Sequence, residues 1–148
     1  AEVVSVDVTD IDNGDQIITI STLQAAVKSS TEALVIRTIP NLPTKKNFMY
    51  SGDNPPYLEA DAATWLREHG VIHLLIDLPS VDREEDEGKL EAHHNFWNYP
   101  TAPRTDATIT ELIYVPDEVP DGLYVLNLQI CSLETDATPS KPVLYSLH

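Results

Sequence analysis

Apolar and polar positions fall into short, clearly bounded runs. Val3-Val4-Ser5-Val6-Asp7-Val8 alternates as a strand does, and Asp12-Asn13-Gly14-Asp15 breaks it as a turn. Beyond Thr19, the residues Leu23, Ala26 and Val27 recur at i, i+3 and i+4, which predicts a one-faced helix with Thr19 as its N-cap. Ala33-Leu34-Val35-Ile36-Arg37 is continuous rather than alternating, as expected of a strand covered on both faces. Thr38 to Pro56 is rich in Pro, Asn, Gly and Lys and reads as a loop long enough to edge a site.

A second helix is predicted from Ala60 to about His69. Ala62, Ala63 and Leu66 share one face with Trp65 beside them, and Gly70 fits the residue after the helix. Glu59 is a poor N-cap. Val71 to Ile76 reads as a second buried strand, and Leu112–Val115, Gly122–Ile130 and Val143–Leu147 read as later strands joined by Pro- and Asp-rich turns. The order strand, helix, strand, helix, strand requires crossovers and at least one parallel pairing. The expected class is α/β, a mixed sheet with two or three helices in one domain over residues 1–148.

A chain of 148 residues buries enough surface to fold without a disulfide or metal staple. Cys131 is the single cysteine; its strand-like surroundings point to an inert buried thiol. Twenty-four Asp and Glu against nine Lys and Arg give a formal charge of −15, which disfavours nucleic acid and anionic membranes. No apolar run approaches the roughly 18 residues of a membrane span. With no signal-peptide pattern at the start, a cytoplasmic location is the default expectation. The chain enters a strand almost at once after Ala1, without an initiator Met. Either a piece of something longer or simple Met removal fits that start.

The candidate chemistry lies between Gly70 and Glu111. Asp77 ends a buried strand, where an unpaired carboxylate is costly, so it must cap a turn, pair with a cation or serve a site. Ser80 and Asp82 suit a turn after Pro79. An acidic run, Glu84 to Glu87, lacks the spacing of a calcium loop and reads as solvated. His93 and His94 are adjacent, so on a helix they point about 100° apart and only one serves a given metal. Solvated histidines at a helix start are the simpler reading. Glu111 stands at the entry to the predicted Leu112–Val115 strand, where it either faces water or serves a site. Arg37 and Arg104 are expected at the surface. The sequence holds no GxSxG elbow, Walker loop, HExxH or paired CxxC.

Together these residues resemble a known family. Leu58 to Asp82, ending Asp77-x-Pro-Ser-x-Asp82, is similar to the C-terminal half of the cyclase-like metal-dependent hydrolases, which include the bacterial kynurenine formamidases. Leu90-Glu91-Ala92-His93-His94, the Thr-rich approach to Glu111, Gly122-Leu123-Tyr124 and Asp136-Ala137-Thr138-Pro139-Ser140 match in order. The resemblance implies the swivelling β/β/α fold and a site for one or two divalent metals, zinc or manganese. In the family an upstream motif, His-x-Gly-Thr-His-x-Asp-x-Pro-x-His, supplies most ligands and a catalytic His. A His and a Glu from the later half complete the second position.

By motif position those two are His93 and Glu111, with His94 a neighbour and with Asp77, Ser80, Asp82 and His94 lining the site. The motif itself is absent from this sequence, so the resemblance implies the C-terminal portion of a longer hydrolase with no catalytic residue of its own. The separation 111 − 93 = 18 is longer than in the formamidases, with Asn98 to Thr105 resembling an insertion. The implied reaction is hydrolysis of a small amide or cyclic ester by metal-activated water, beneath the Thr38–Pro56 loop. His93 would need an acceptor on its other ring nitrogen: Asp77, Asp82 or a backbone carbonyl. The implied partners are a small-molecule substrate, the missing upstream segment and further copies of the chain, since family members commonly form dimers or tetramers; if the missing segment adds strands to the same sheet, the edge it leaves also favours association. The alternative is a non-catalytic α/β binding or interaction domain on the same fold.

Overall fold

The computed structural model describes residues 1–147. Four parallel strands form one side of the main sheet: β1 (Glu2–Asp7), β4 (Ala33–Ile39), β6 (His73–Ile76) and, at the edge, β7 (Thr108–Thr110). Two antiparallel strands, β8 (Gly122–Asn127) and β9 (Val143–Ser146), extend the sheet beyond β1, giving the order β7-β6-β4-β1-β8-β9. A small second sheet joins β2 (Thr9–Asp10), β3 (Gln16–Ile18) and β5 (Tyr57–Leu58). Helices α1 (Ile20–Ala26), α2 (Ala60–Glu68) and α3 (Glu91–Trp97) complete an α/β fold with mixed sheets.

Both faces of the central strands are covered, as their continuous apolar runs require. Val4, Val6, Leu34, Ile36, Leu74 and Ile76 pack with Leu23 of α1, Ala62, Ala63 and Leu66 of α2, and Ala92 and Phe96 of α3. The intervening Val3, Val35 and Leu75 face the other way and pack on Val115, Ile113 and Val119. Each fully buried aliphatic or Phe side chain contributes about 1.5–3 kcal/mol. Thr19 caps α1 as expected, its side chain accepting from the Thr22 amide at 3.1 Å. Glu59 gives α2 no side-chain cap; it accepts instead from the Ile20 amide at 2.9 Å, at the start of α1. Gly70 follows α2 with φ +81°, the left-handed turn that favours glycine.

Several expectations are corrected. Leu112–Val115 is not a strand; the strand is Thr108–Thr110, and Glu111 stands at its exit. Leu112 takes φ +55° and turns the chain, after which Ile113 and Val115 cover the sheet from below. Pro116, with no amide hydrogen, suits that irregular course. The Gly122–Ile130 strand ends at Asn127, opposite the first residue of β9, and only an isolated Ile130–Ser140 bridge follows. Cys131 therefore lies outside the ladder and is exposed, not buried.

Arg37 is buried, not at the surface. It pairs with Asp121 at 2.7 Å and donates to Ser5 and to the carbonyls of Pro116 and Val119, bracing the segment beneath the sheet. Arg104 is half-buried and donates to the carbonyls of Phe96 and Val71. Among the described residues, no helix is long and apolar enough to cross a membrane.

Candidate metal-binding edge

The parallel strands end along one edge of the sheet, the position where α/β sheets usually bind ligands. Asp77 directly follows β6, Glu111 directly follows β7, and α3 carries His93 across the same end. The start of α3 is built unusually. Leu90 precedes it at φ 49° and offers no side-chain cap. Asp82, ten residues upstream (92 − 82), takes that role instead: its Oδ1 accepts from the Ala92 amide at 2.6 Å and its Oδ2 from the His93 amide at 3.3 Å. A carboxylate placed there satisfies free amides and suits the positive end of the helix.

The same Oδ2 lies 2.5 Å from His93 Nδ1. An ionised carboxylate only accepts, so Nδ1 carries the proton. Nε2 is then left facing outwards, towards Glu111. Nε2 lies 3.6 Å from Glu111 Oε1, beyond hydrogen-bond range. Glu111 Oε1 is held by the Val81 amide at 2.9 Å. His93 also packs on Trp97 one turn on, with ring centroids 5.1 Å apart, and Trp97 Nε1 donates to the Ala107 carbonyl at 3.1 Å.

The donor set fits one side of a divalent-metal site. The imidazole presents Nε2 outwards as the nitrogen available to a metal, oriented by a carboxylate on its other nitrogen. Two ligands each about 2.1 Å from a common cation, as for zinc, stand 3.6 Å apart when they subtend roughly 120°. The two side chains are partly exposed, at 16% and 29%, so this edge opens outwards. Among the described residues no group of three or more His, Cys, Asp or Glu side chains is placed to hold a metal ion.

The other expected site residues divide. Ser80 Oγ accepts from the Asp82 amide at 3.1 Å, closing the anticipated turn that aims Asp82. Asp77 is turned elsewhere: it accepts from Thr38 N and Oγ1 and pairs with Lys45 Nζ at 2.9 Å. Of the three acceptors anticipated for His93, Asp82 is the one used. His94 packs against Tyr99, ring centroids 4.9 Å apart, rather than beside His93. The loop after β4 carries a 3₁₀ turn at Pro43–Asn47, and its Lys45 closes over Asp77. A cleft of about 290 Å³ borders Asp82 and Arg83 and reaches Tyr57 and Glu91; neither His93 nor Glu111 lines it.

Two residues near this edge escaped the sequence reading. Asp15, taken as part of a turn, is 1% exposed and bound by Arg83, Asn54, Tyr57 and Asn13. The Arg83 guanidinium, foremost, and then the Asn54 amide hold its carboxyl well below the usual carboxylate range; burial opposes them. The one legible signal was Arg83 itself, a base set between Asp82 and an acidic run.

The family model described as "Putative cyclase" matches residues 1–83, which includes Asp77, Ser80 and Asp82 and stops short of His93 and Glu111. A kynurenine formamidase of Bacillus cereus (strain ATCC 10987 / NRS 248) is 34% identical over 90 residues, 60% of this chain and 39% of that protein. A kynurenine formamidase of Bacillus anthracis is 33% identical over the same shares. The chain thus spans well under half the length of these curated relatives. A "predicted metal-dependent hydrolase from Bacillus stearothermophilus" superposes with a TM-score of 0.62 at 19% identity, over 97% of this chain and 62% of that one. A "potential metal-dependent hydrolase with cyclase activity" does so with a TM-score of 0.62 at 17% identity, over 97% and 64%. These two likenesses show the shared fold, and they extend through the His93–Glu111 region.

Proposed function

Because this chain belongs to the cyclase family, we propose that it carries one side of the divalent-metal site of a hydrolase that splits a small amide or cyclic ester. His93 and Glu111 are the proposed ligands, with the remaining donors supplied by residues outside this sequence. The observation that carries the reading is the Asp82–His93–Glu111 arrangement: a carboxylate at 2.5 Å from Nδ1, and a second at 3.6 Å from Nε2. The relatives named kynurenine formamidase and metal-dependent hydrolase support the same chemistry.

When bound, zinc or manganese supplies Lewis acidity, polarising a carbonyl and acidifying water towards a pKa of about 7. The chain's own residues prepare for it. Asp82 fixes the His93 proton on Nδ1 and turns the ring. The Val81 amide holds Glu111 without neutralising it. Trp97 restricts rotation of the imidazole.

The test is turnover of N-formylkynurenine with Zn²⁺ or Mn²⁺. The chain alone should give none. Mixed with a cyclase segment bearing His-x-Gly-Thr-His, it should take up metal in a His93-dependent manner. Robust turnover by the chain alone contradicts the site described. One observation favours a second reading, a non-catalytic interaction domain on the same fold: no third donor joins His93 and Glu111 among the described residues. Metal uptake unaffected by His93→Gln would select it.

A further inference from the structure

Three consecutive residues control both proposed ligands. The Val81 amide donates to Glu111 Oε1 at 2.9 Å, and the Asp82 carboxylate meets His93 Nδ1 at 2.5 Å. The third, Arg83, is gripped by Asp15, with Nε to Oδ2 at 2.8 Å and Nη2 to Oδ1 at 3.1 Å. Asp15 comes from a different part of the fold, the turn that leads into β3 of the small sheet. Asn13 and Asn54 donate to it at 2.8 and 2.9 Å, and the Tyr57 hydroxyl at 3.0 Å. The Val81 carbonyl also accepts from the Leu58 amide at 2.9 Å, where β5 ends. The segment is therefore tied to the small sheet on both sides of Asp82.

A buried carboxylate is costly unless its lone pairs are filled, and here they are filled by groups that converge from four separate positions. Arg83 is the member of that set attached to the site. Its side chain remains 39% exposed, so packing alone does not account for its fixed course.

We propose that Asp15 and Arg83 are positioning residues: their ion pair anchors residues 81–83 where the Val81 amide and the Asp82 carboxylate set the spacing and tautomer of the His93–Glu111 pair. The proposal rests on the metal-site reading, but its primary readout needs no metal. The ¹⁵N shifts of the His93 ring nitrogens are measured in the metal-free full chain for wild type, Arg83→Met, Arg83→Lys and Asp15→Asn. Circular dichroism fixes a temperature at which each compared variant is folded.

Wild type should show the Nδ1–H tautomer alone. Arg83→Met should show a mixture of tautomers, and Arg83→Lys, which keeps a cation beside Asp15, should restore most of the wild-type signature. Mixed with the His-x-Gly-Thr-His segment, Arg83→Met should take up zinc about tenfold more weakly than wild type, the lower range for loss of groups that orient metal ligands. An unchanged tautomer in folded Arg83→Met or in folded Asp15→Asn overturns the proposal, even if the melting temperature falls. The metal-site reading fails separately, if His93→Gln leaves zinc uptake unaltered.

Discussion

Asp82 does two jobs with one carboxylate, and substitution separates them. In Asp82→Asn the amide oxygen can still accept from the Ala92 amide, now at 2.6 Å from Oδ1, while the NH₂ group faces His93 Nδ1. That should force the ring proton to Nε2 and block the face turned to Glu111. The expected cost in stability is at most about 1 kcal/mol, since a cap acceptor survives. Metal affinity should fall about 10- to 100-fold. Denaturant unfolding and ¹⁵N shifts check this; a retained Nδ1–H tautomer would refute it.

Asp15 makes a pH prediction. Its folded carboxyl is held far below the unfolded value of about 3.9, so the unfolded chain takes up the proton first. Its stabilisation is complete above that value and declines as pH falls towards the folded value. The gap in melting temperature between wild type and Asp15→Asn should therefore narrow steadily from about pH 5 to pH 2. A gap independent of pH would contradict the assignment.

At this scale the sequence was legible where the family resemblance supplied positions: it singled out His93, Glu111 and Asp82, and the structure brings their side chains together. The partners of Asp15 and Arg37 lie up to 68 and 84 residues away, and neighbouring residues say nothing of them. Asp77 was rightly read as needing a partner; its cation proved to be Lys45, brought in by a loop whose course no periodicity specifies.

Among the elements, α3 carries the proposed ligand His93, and it is too short at seven residues to stand alone. It is fixed by Asp82 at its start, by Asn95 donating to the Ala60 carbonyl, and by Arg67 donating to the Asn95 carbonyl. Phe96, fully buried, anchors it to the core. Phe96→Ala should cost about 3–5 kcal/mol in urea unfolding. A loss under 1 kcal/mol would mean that α3 is not docked as described.

The long apolar runs and the Thr19 and Gly70 boundaries were readable because period and capping chemistry are local. The small sheet was not, because strands of two or three residues show no period. β7 was misplaced by a few residues because Ile113 and Val115 are apolar for a different reason: they cover the sheet instead of joining it. The apolar run that ends at Cys131 outlasts its pairing partner, so the run does not report burial there.

For the whole molecule, the topology gathers the chemistry at one edge. Parallel pairing of β4, β6 and β7 brings Thr38, Asp77 and Glu111 to the same end, and the crossover through α3 sets His93 opposite Glu111. The separation of 18 residues (111 − 93) proves compatible with contact because the Asn98–Thr105 excursion returns: Arg104 donates from its side chain to the Phe96 and Val71 carbonyls and from its amide to the Trp97 carbonyl. The most direct measurement is anomalous diffraction at the zinc edge from crystals of this chain grown with zinc and the complementary His-x-Gly-Thr-His segment. A peak is expected within about 2.0–2.2 Å of both His93 Nε2 and a Glu111 carboxylate oxygen. Zinc bound elsewhere, with those two side chains unliganded, would contradict it.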